Sequence, residues 1–297
     1  MEELKTTAWE WIFSGGFKKG GSWGGHVCAS YVPFETHVVE TCSWLLLLGA
    51  IWFVFGFGTK LKKLSNEAKV TLKAHPRKFG ICNILDFIVG FLALGNWLLV
   101  VWYKINLRSL INLLQPCHLT SMLQGIAMLR DDSTSTMISL LTLPMVVGSG
   151  GTFFAPDTSG LDQPFEVEMF WVQHILLQLI PLYMLLRHNA LSLKMVDFKT
   201  ILIGNWFLVF THWAVFEPID YNFQVNVNFF LCPADAMLHL FNTVLHPAML
   251  LPSYRTFAMW FFVLVSLPVC YIYIFSAKAI YYIYCAATGT AGHKKTV

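Results

Sequence analysis

Charge is scarce in this chain. Only 12% of its 297 residues are Asp, Glu, Lys or Arg, while 56% are hydrophobic. A soluble domain carries about 25% charged residues, so the shortfall points to a membrane protein. Net charge is also small, +3 from 20 basic and 17 acidic residues. That is too little to suggest nucleic acid, and no interleaved basic and aromatic array is present. The seven cysteines form no C-x-x-C pair and no Cys/His zinc spacing; no metal, nucleotide or other cofactor is expected. The first 35 residues contain no continuous apolar core of the kind a secretory leader needs. The first apolar run is therefore expected to remain as a span. There is no Asn-x-Ser/Thr sequon, no internal repeat at a useful period and no low-complexity tract.

What the chain does have is apolar runs of membrane-crossing length, about 20 residues each. Seven stretches fit, at roughly residues 41–58, 79–103, 107–129, 136–154, 165–186, 199–216 and 254–275. The shorter stretch 234–247, with Asp235, His239 and His246, reads as a re-entrant or interfacial helix. The expected fold is an all-α polytopic membrane helical bundle of about seven transmembrane helices. The soluble segments are too short for a second domain. Residues 1–297 are taken as one transmembrane domain: a lumenal N-terminal segment 1–40, a helical bundle 41–276 and a cytosolic tail 277–297.

Lys and Arg accumulate on the cytosolic side of membrane proteins. The loop 59–78 carries Lys60, Lys62, Lys63, Lys69, Lys73, Arg77 and Lys78. With seven spans, Arg130, then Arg187 and Lys194, and finally Lys278, Lys294 and Lys295 fall on the same side. Loops 155–164 and 217–252 contain neither Lys nor Arg. An N-terminus in the lumen and a C-terminus in the cytosol follow; the N-terminal Lys5, Lys18 and Lys19 dissent. Lys294 and Lys295 also occupy the positions of a dilysine retrieval signal, an address for the endoplasmic reticulum membrane. A basic tail obeying the charge rule is the plainer alternative. Cys28 and Cys232 both fall on the oxidising side, as a disulfide or as two independent thiols.

Polar residues at bilayer depth mark candidate sites. Here they are Asp86, Asn96, Cys117, His118, Gln173, His174, Gln178, Asn205 and His212. Pro116 removes a backbone N–H and should kink or break its helix. Cys117 then falls in the first turn of the restarted half, where unpaired N–H groups favour a thiolate. A lone membrane cysteine is more often a packing residue. Counting from Lys104 and Glu166 puts Cys117 and His174 roughly 20 Å and 12 Å from the lumenal flank at about 1.5 Å per residue. Within a turn's uncertainty the two lie at comparable depth, as a nucleophile and its base would. His118 points about 100° away from Cys117 on a helix and suits an orienting role. His174 also has a plainer reading, an interhelical hydrogen bond. Asn226 and Asn228, in "NFQVNVNFFLCP", would share one side of an extended strand, as a head-group entrance or simply a packed loop.

At these residues the sequence resembles the transmembrane protein 164 family. The matching stretches are "LLQPCHLTSM" (113–122), "PFEVEMFWVQHILL" with "IPLY" (164–183) and "VNVNFFLCPA" (225–234), with weaker similarity at "GGHVCASY" and the terminal dilysine. The resemblance implies a membrane-embedded acyltransferase of the endoplasmic reticulum, more distantly similar to the androgen-induced-gene membrane hydrolases. The implied reaction moves a polyunsaturated acyl chain from a phospholipid to a lyso ether phosphatidylethanolamine. The Cys of the family's Pro-Cys-His motif matches Cys117, and the His of its Gln-His motif matches His174. Gln115 stands where Asn is usual, the cytosolic loop is shorter and Gln178 lies one turn after the His; acyl and head-group preference stay open.

The expected mechanism passes through a cysteinyl acyl intermediate, with phospholipid and lysophospholipid as partners. No protein partner is implied. A lipid hydrolase or thioesterase using the same pair is the alternative, as is a transporter or receptor-like seven-span protein without catalysis.

Overall fold

The computed structural model describes residues 12, 24–74, 81–130, 132–154, 156–158, 160–187, 196–233 and 254–288. Stretch 234–247, the dilysine and the N-terminal lysines lie outside them. Among the described residues every regular element is helical, and Gly24 and Val225 form one isolated antiparallel bridge. The all-α class is therefore as expected. The main helices are α1 (Phe34–Val54), α2 (Phe57–Ala74), α3 (Ile81–Asn106), α4 (Pro116–Leu129), α5 (Ser133–Thr142), α6 (Val146–Gly151), α7 (Glu166–Arg187), α8 (Phe198–Thr211), α9 (Glu217–Phe223) and α10 (Tyr254–Ala287).

Among the described residues, four helices are long and apolar enough to cross a membrane: Phe34–Val54, Ile84–Asn106, Glu166–Leu186 and Tyr254–Ala287. Their apolar side chains mostly face outward. In α1 only 17% of the apolar window is buried, and Leu46, Phe53 and Val54 are fully presented. In water such surface would be costly, at roughly 25 cal/mol per Å²; hydrocarbon surroundings remove that cost. Helix α1 starts at Phe34, ahead of the expected residue 41, and α10 runs on past residue 275.

The other three expected spans are interrupted helices. Residues 107–129 comprise a turn, a 3-10 segment Leu110–Leu114 and then α4. Residues 136–154 comprise α5, a 3-10 turn Leu143–Met145 and α6. Residues 199–216 comprise α8 followed by a π-helical stretch His212–Phe216, which continues into α9. Pattern reading missed these breaks because apolar composition persists across them. The stretch 59–78, expected as a loop, is instead largely α2. That helix buries Leu64 and Ala68 against Leu140, Ile201, Ile274 and Ala277, while Lys62 and Lys63 face out.

Polar contacts gather at two ends. At one, Lys60 pairs with Asp197 at 2.6 Å. There Asp197 and Asp132 also cap α8 and α5 by accepting N–H bonds from Thr200 and Ser135, each at 2.8 Å. The Arg130 guanidinium hydrogen-bonds Asp132 and holds its carboxyl below the usual range. At the other end, Lys104 pairs with Glu166 at 3.6 Å, joining the end of α3 to the start of α7. Cys28 and Cys232 form a disulfide there, which decides between the bridge and the two free thiols. Between the ends the helices pack closely. A Cβ on Gly204 would come within 2.7 Å of the Leu141 carbonyl oxygen.

Candidate functional site

The site is assembled from chain breaks. After α3, Arg108 takes a left-handed conformation (φ 51°), and the Leu110–Leu114 turn leads to Gln115 at φ −53°, ψ 137°, outside the helical region. Pro116 is then the first residue of α4, the position where its missing N–H costs nothing. Cys117 follows it in the first turn. The break expected at Pro116 is thus a helix start. Because residues 107–115 do not rise as α-helix, the 20 Å depth counted from Lys104 does not hold. The Lys104–Glu166 pair instead levels the two flanks.

Two neighbouring residues fasten the helices that carry the cysteine and the histidine. Nδ1 of His118 lies 3.1 Å from Nε2 and 3.2 Å from Oε1 of Gln173, and both side chains are buried. This bond spans α4 and α7 directly beside Cys117 and His174. The same Nδ1 lies 3.8 Å from the Cys117 sulfur, and Gln115 Oε1 lies 3.9 Å from it. His118, expected to point away from Cys117, thus has a ring nitrogen within hydrogen-bond reach of its sulfur.

Cys117 and His174 line one cavity of about 110 Å³. His174 donates from Nδ1 to the Phe170 carbonyl at 2.8 Å, which leaves Nε2 as the basic nitrogen of the neutral ring. His212 lines the same cavity from the π-helical stretch, a local geometry frequent at functional sites. Its Nδ1 donates to Leu208 O and its Nε2 accepts from Asn228 Nδ2, both at 2.8 Å. Both nitrogens of His212 are therefore committed, whereas His174 has committed one. Ser149 and Thr152 add hydroxyls to the wall, and Met145, Leu177 and Phe262 make much of the rest.

The two asparagines do not share a side. Asn228 is left-handed (φ 56°) and faces the cavity. Asn226 is a buried loop organiser: its Oδ1 accepts from Leu231 N at 2.7 Å, and its Nδ2 donates to Cys232 O at 2.8 Å. Asp220 accepts from Val227 N at 2.9 Å, and burial pushes its carboxyl well up. With the disulfide and the Gly24–Val225 bridge, these contacts fix the loop that presents Asn228. Nothing in the sequence pattern separates the asparagines; a single positive φ does.

The remaining polar candidates hold helices together. Tyr183 donates to Asp86 at 2.7 Å and Asn96 to Met169 O at 3.0 Å. Gln178 donates to Val146 O at 2.8 Å and Ser149 Oγ at 2.7 Å. Ser266 donates to Asn205 at 2.8 Å. The sequence reading missed a charged cluster altogether. Arg255, fully buried, meets Glu40 and Glu217, and His37 contacts Glu217 at 2.7 Å. The guanidinium also lies 5.4 Å from the Trp213 ring centroid. Among the described residues, no three His, Cys, Asp or Glu side chains gather as a metal site.

Apolar helices facing outward, around a cavity lined by a thiol and two imidazoles, define a membrane protein with a pocket of mixed lining between its helices. The sequence pattern of the TMEM164 family matches residues 33–275, and the chain belongs to that family. Transmembrane protein 164 homolog of Dictyostelium discoideum is 26% identical over 157 residues, 51% of this chain and 55% of that protein. The chain thus spans about half the length of the curated relative it matches. No solved structure matches.

Proposed function

We infer that the protein is a membrane-embedded phospholipid acyltransferase working through Cys117 and His174. The observation that carries this reading is a single cavity wall bearing a thiol and an imidazole whose Nδ1 is already committed to Phe170. That tautomer gives His174 a basic Nε2 for general-base work.

The Cys117 S–H proton passes to His174 Nε2, and the sulfur attacks the ester carbonyl of a donor phospholipid. The carbonyl–oxygen bond to glycerol breaks, and His174 returns the proton to the departing lysophospholipid. The acyl group is then a thioester on Cys117. The hydroxyl of a lyso ether phosphatidylethanolamine next loses its proton to His174 and attacks that thioester. The carbon–sulfur bond breaks and the thiol is restored. At the start of α4, Pro116 has no N–H and those of His118 and Leu119 bond Gln115 O at 2.9 and 3.1 Å, so the Cys117 N–H is the donor proposed for the developing oxyanion, and apolar walls limit water as a competing acceptor.

The proposed setting is the endoplasmic reticulum membrane with about seven crossings, N-terminus lumenal and C-terminus cytosolic. Support comes from the disulfide, which suits an oxidising compartment, and from the basic α2 at the opposite end. Interrupted crossings are tolerated where they pack inside protein or line a cavity.

Lipid profiling of cells carrying wild type, Cys117→Ala or His174→Ala tests the reading. Loss of acyl transfer in both inserted, folded variants is expected. Retention in both removes the mechanism. Release of free fatty acid by purified protein, unaffected by lysolipid, would make it a hydrolase. Transfer-independent uptake in Cys117→Ala would make it a transporter.

A further inference from the structure

We propose that the apolar cavity beside the Cys117 cavity is the chamber that holds the fatty-acyl chain and sets its length, a proposal that rests on the acyltransferase reading above.

The two cavities share Pro116, Thr120, Met145 and Leu208 as walls. The second is larger, about 260 Å³. Pro116, Leu119, Thr120 and Leu123 line it from α4, and their i, i+3, i+4, i+7 spacing places them on one helical face. That stripe begins next to Cys117 and leads away from it. A chain esterified to the sulfur therefore has a continuous wall to follow.

The chemistry of the walls selects hydrocarbon. Ile138, Leu141, Phe207 and Phe216 complete the chamber, and none of its lining residues is charged. Thr142 and Thr211 donate their hydroxyls back to Ile138 O and Phe207 O, each at 2.8 Å, the local bonding typical of helical Thr. A buried water requires two to four polar partners, and with two of the three threonine hydroxyls turned to backbone carbonyls these walls offer few. A head group would be unsatisfied there as well. Met145, shared by both cavities, is a pliable side chain at the junction.

The test uses the full-length protein in phosphatidylcholine vesicles containing a phosphatidylcholine with a diazirine near the end of one acyl chain. Photolabel mapped by mass spectrometry is expected on the chamber segments around Leu123 and Leu141, and is expected to fall in Leu123→Trp. Label restricted to outward residues such as Phe91 and Leu98 overturns the proposal. In a second arm, dioctanoyl and dioleoyl donors compete for transfer to lyso ether phosphatidylethanolamine. Leu123→Trp should shift the preference toward the short chain by about tenfold, and Phe207→Ala should shift it toward the long one. Unchanged preference in both variants also overturns it. The two readings fail separately. Chamber labelling without any acyl transfer would leave a lipid-tail chamber and remove the enzyme. Transfer with label confined to outer walls would leave the enzyme and remove the chamber.

Discussion

Two buried polar groups in this bundle solve opposite problems. Around Arg255 every formal charge has a partner: Glu40, Glu217 and His37 close around the guanidinium, with Trp213 above it. Around Cys117 the groups are nominally neutral and leave room, about 110 Å³, with His174 committed at one nitrogen. Burial of polar residues is common to both. What separates a clamp from a candidate site is a cavity beside a reactive atom.

The comparison breaks most easily at the cavity. Cys117→Ala should reduce acyl transfer to background, and His174→Ala should reduce it about 10²- to 10⁴-fold as the loss of a general base. Neither should move the melting temperature much. The cluster should behave the other way. Arg255→Met takes the guanidinium from Glu40 and Glu217 and should cost about 3–5 kcal/mol of stability, read as a large fall in melting temperature in detergent. A folded, stable Arg255→Met protein without activity would mean the cluster is itself a site.

The loop bearing Asn228 connects the two regions and gives a smaller effect. Cys28→Ser with Cys232→Ser should cost about 2–4 kcal/mol, since the bridge spans 204 residues. Activity should fall in parallel because Asn228 loses its support. A change in gel mobility on reduction checks the bridge itself. The smallest effect belongs to the far end. Asp197→Ala removes the α8 cap and the Lys60 partner and should cost about 1 kcal/mol without changing transfer.

Much of the architecture was legible because apolar runs and charge scarcity are bulk properties. The break before Cys117 was legible because proline acts locally. Residue counting put Cys117 and His174 at comparable depth, although the depth from Lys104 assumed helix where the chain turns. Arg255 escaped notice because one cation at the start of a 34-residue apolar helix barely alters its average. Helix α2 read as a loop because its lysines outweigh the few residues it buries. The divergence of Asn226 from Asn228 depends on one backbone angle and has no composition of its own. Likewise, the acyl chamber uses ordinary Leu, Ile and Phe that become a cavity only through helix packing.

The central claim is a covalent one, so the most direct measurement is mass spectrometry of the Cys117 peptide after incubation with donor phospholipid alone. The account predicts an acyl adduct on Cys117 that hydroxylamine removes, that lyso ether phosphatidylethanolamine discharges and that His174→Ala fails to form. Acyl transfer proceeding at full rate with Cys117 unmodified, or with the adduct on another residue, would contradict it.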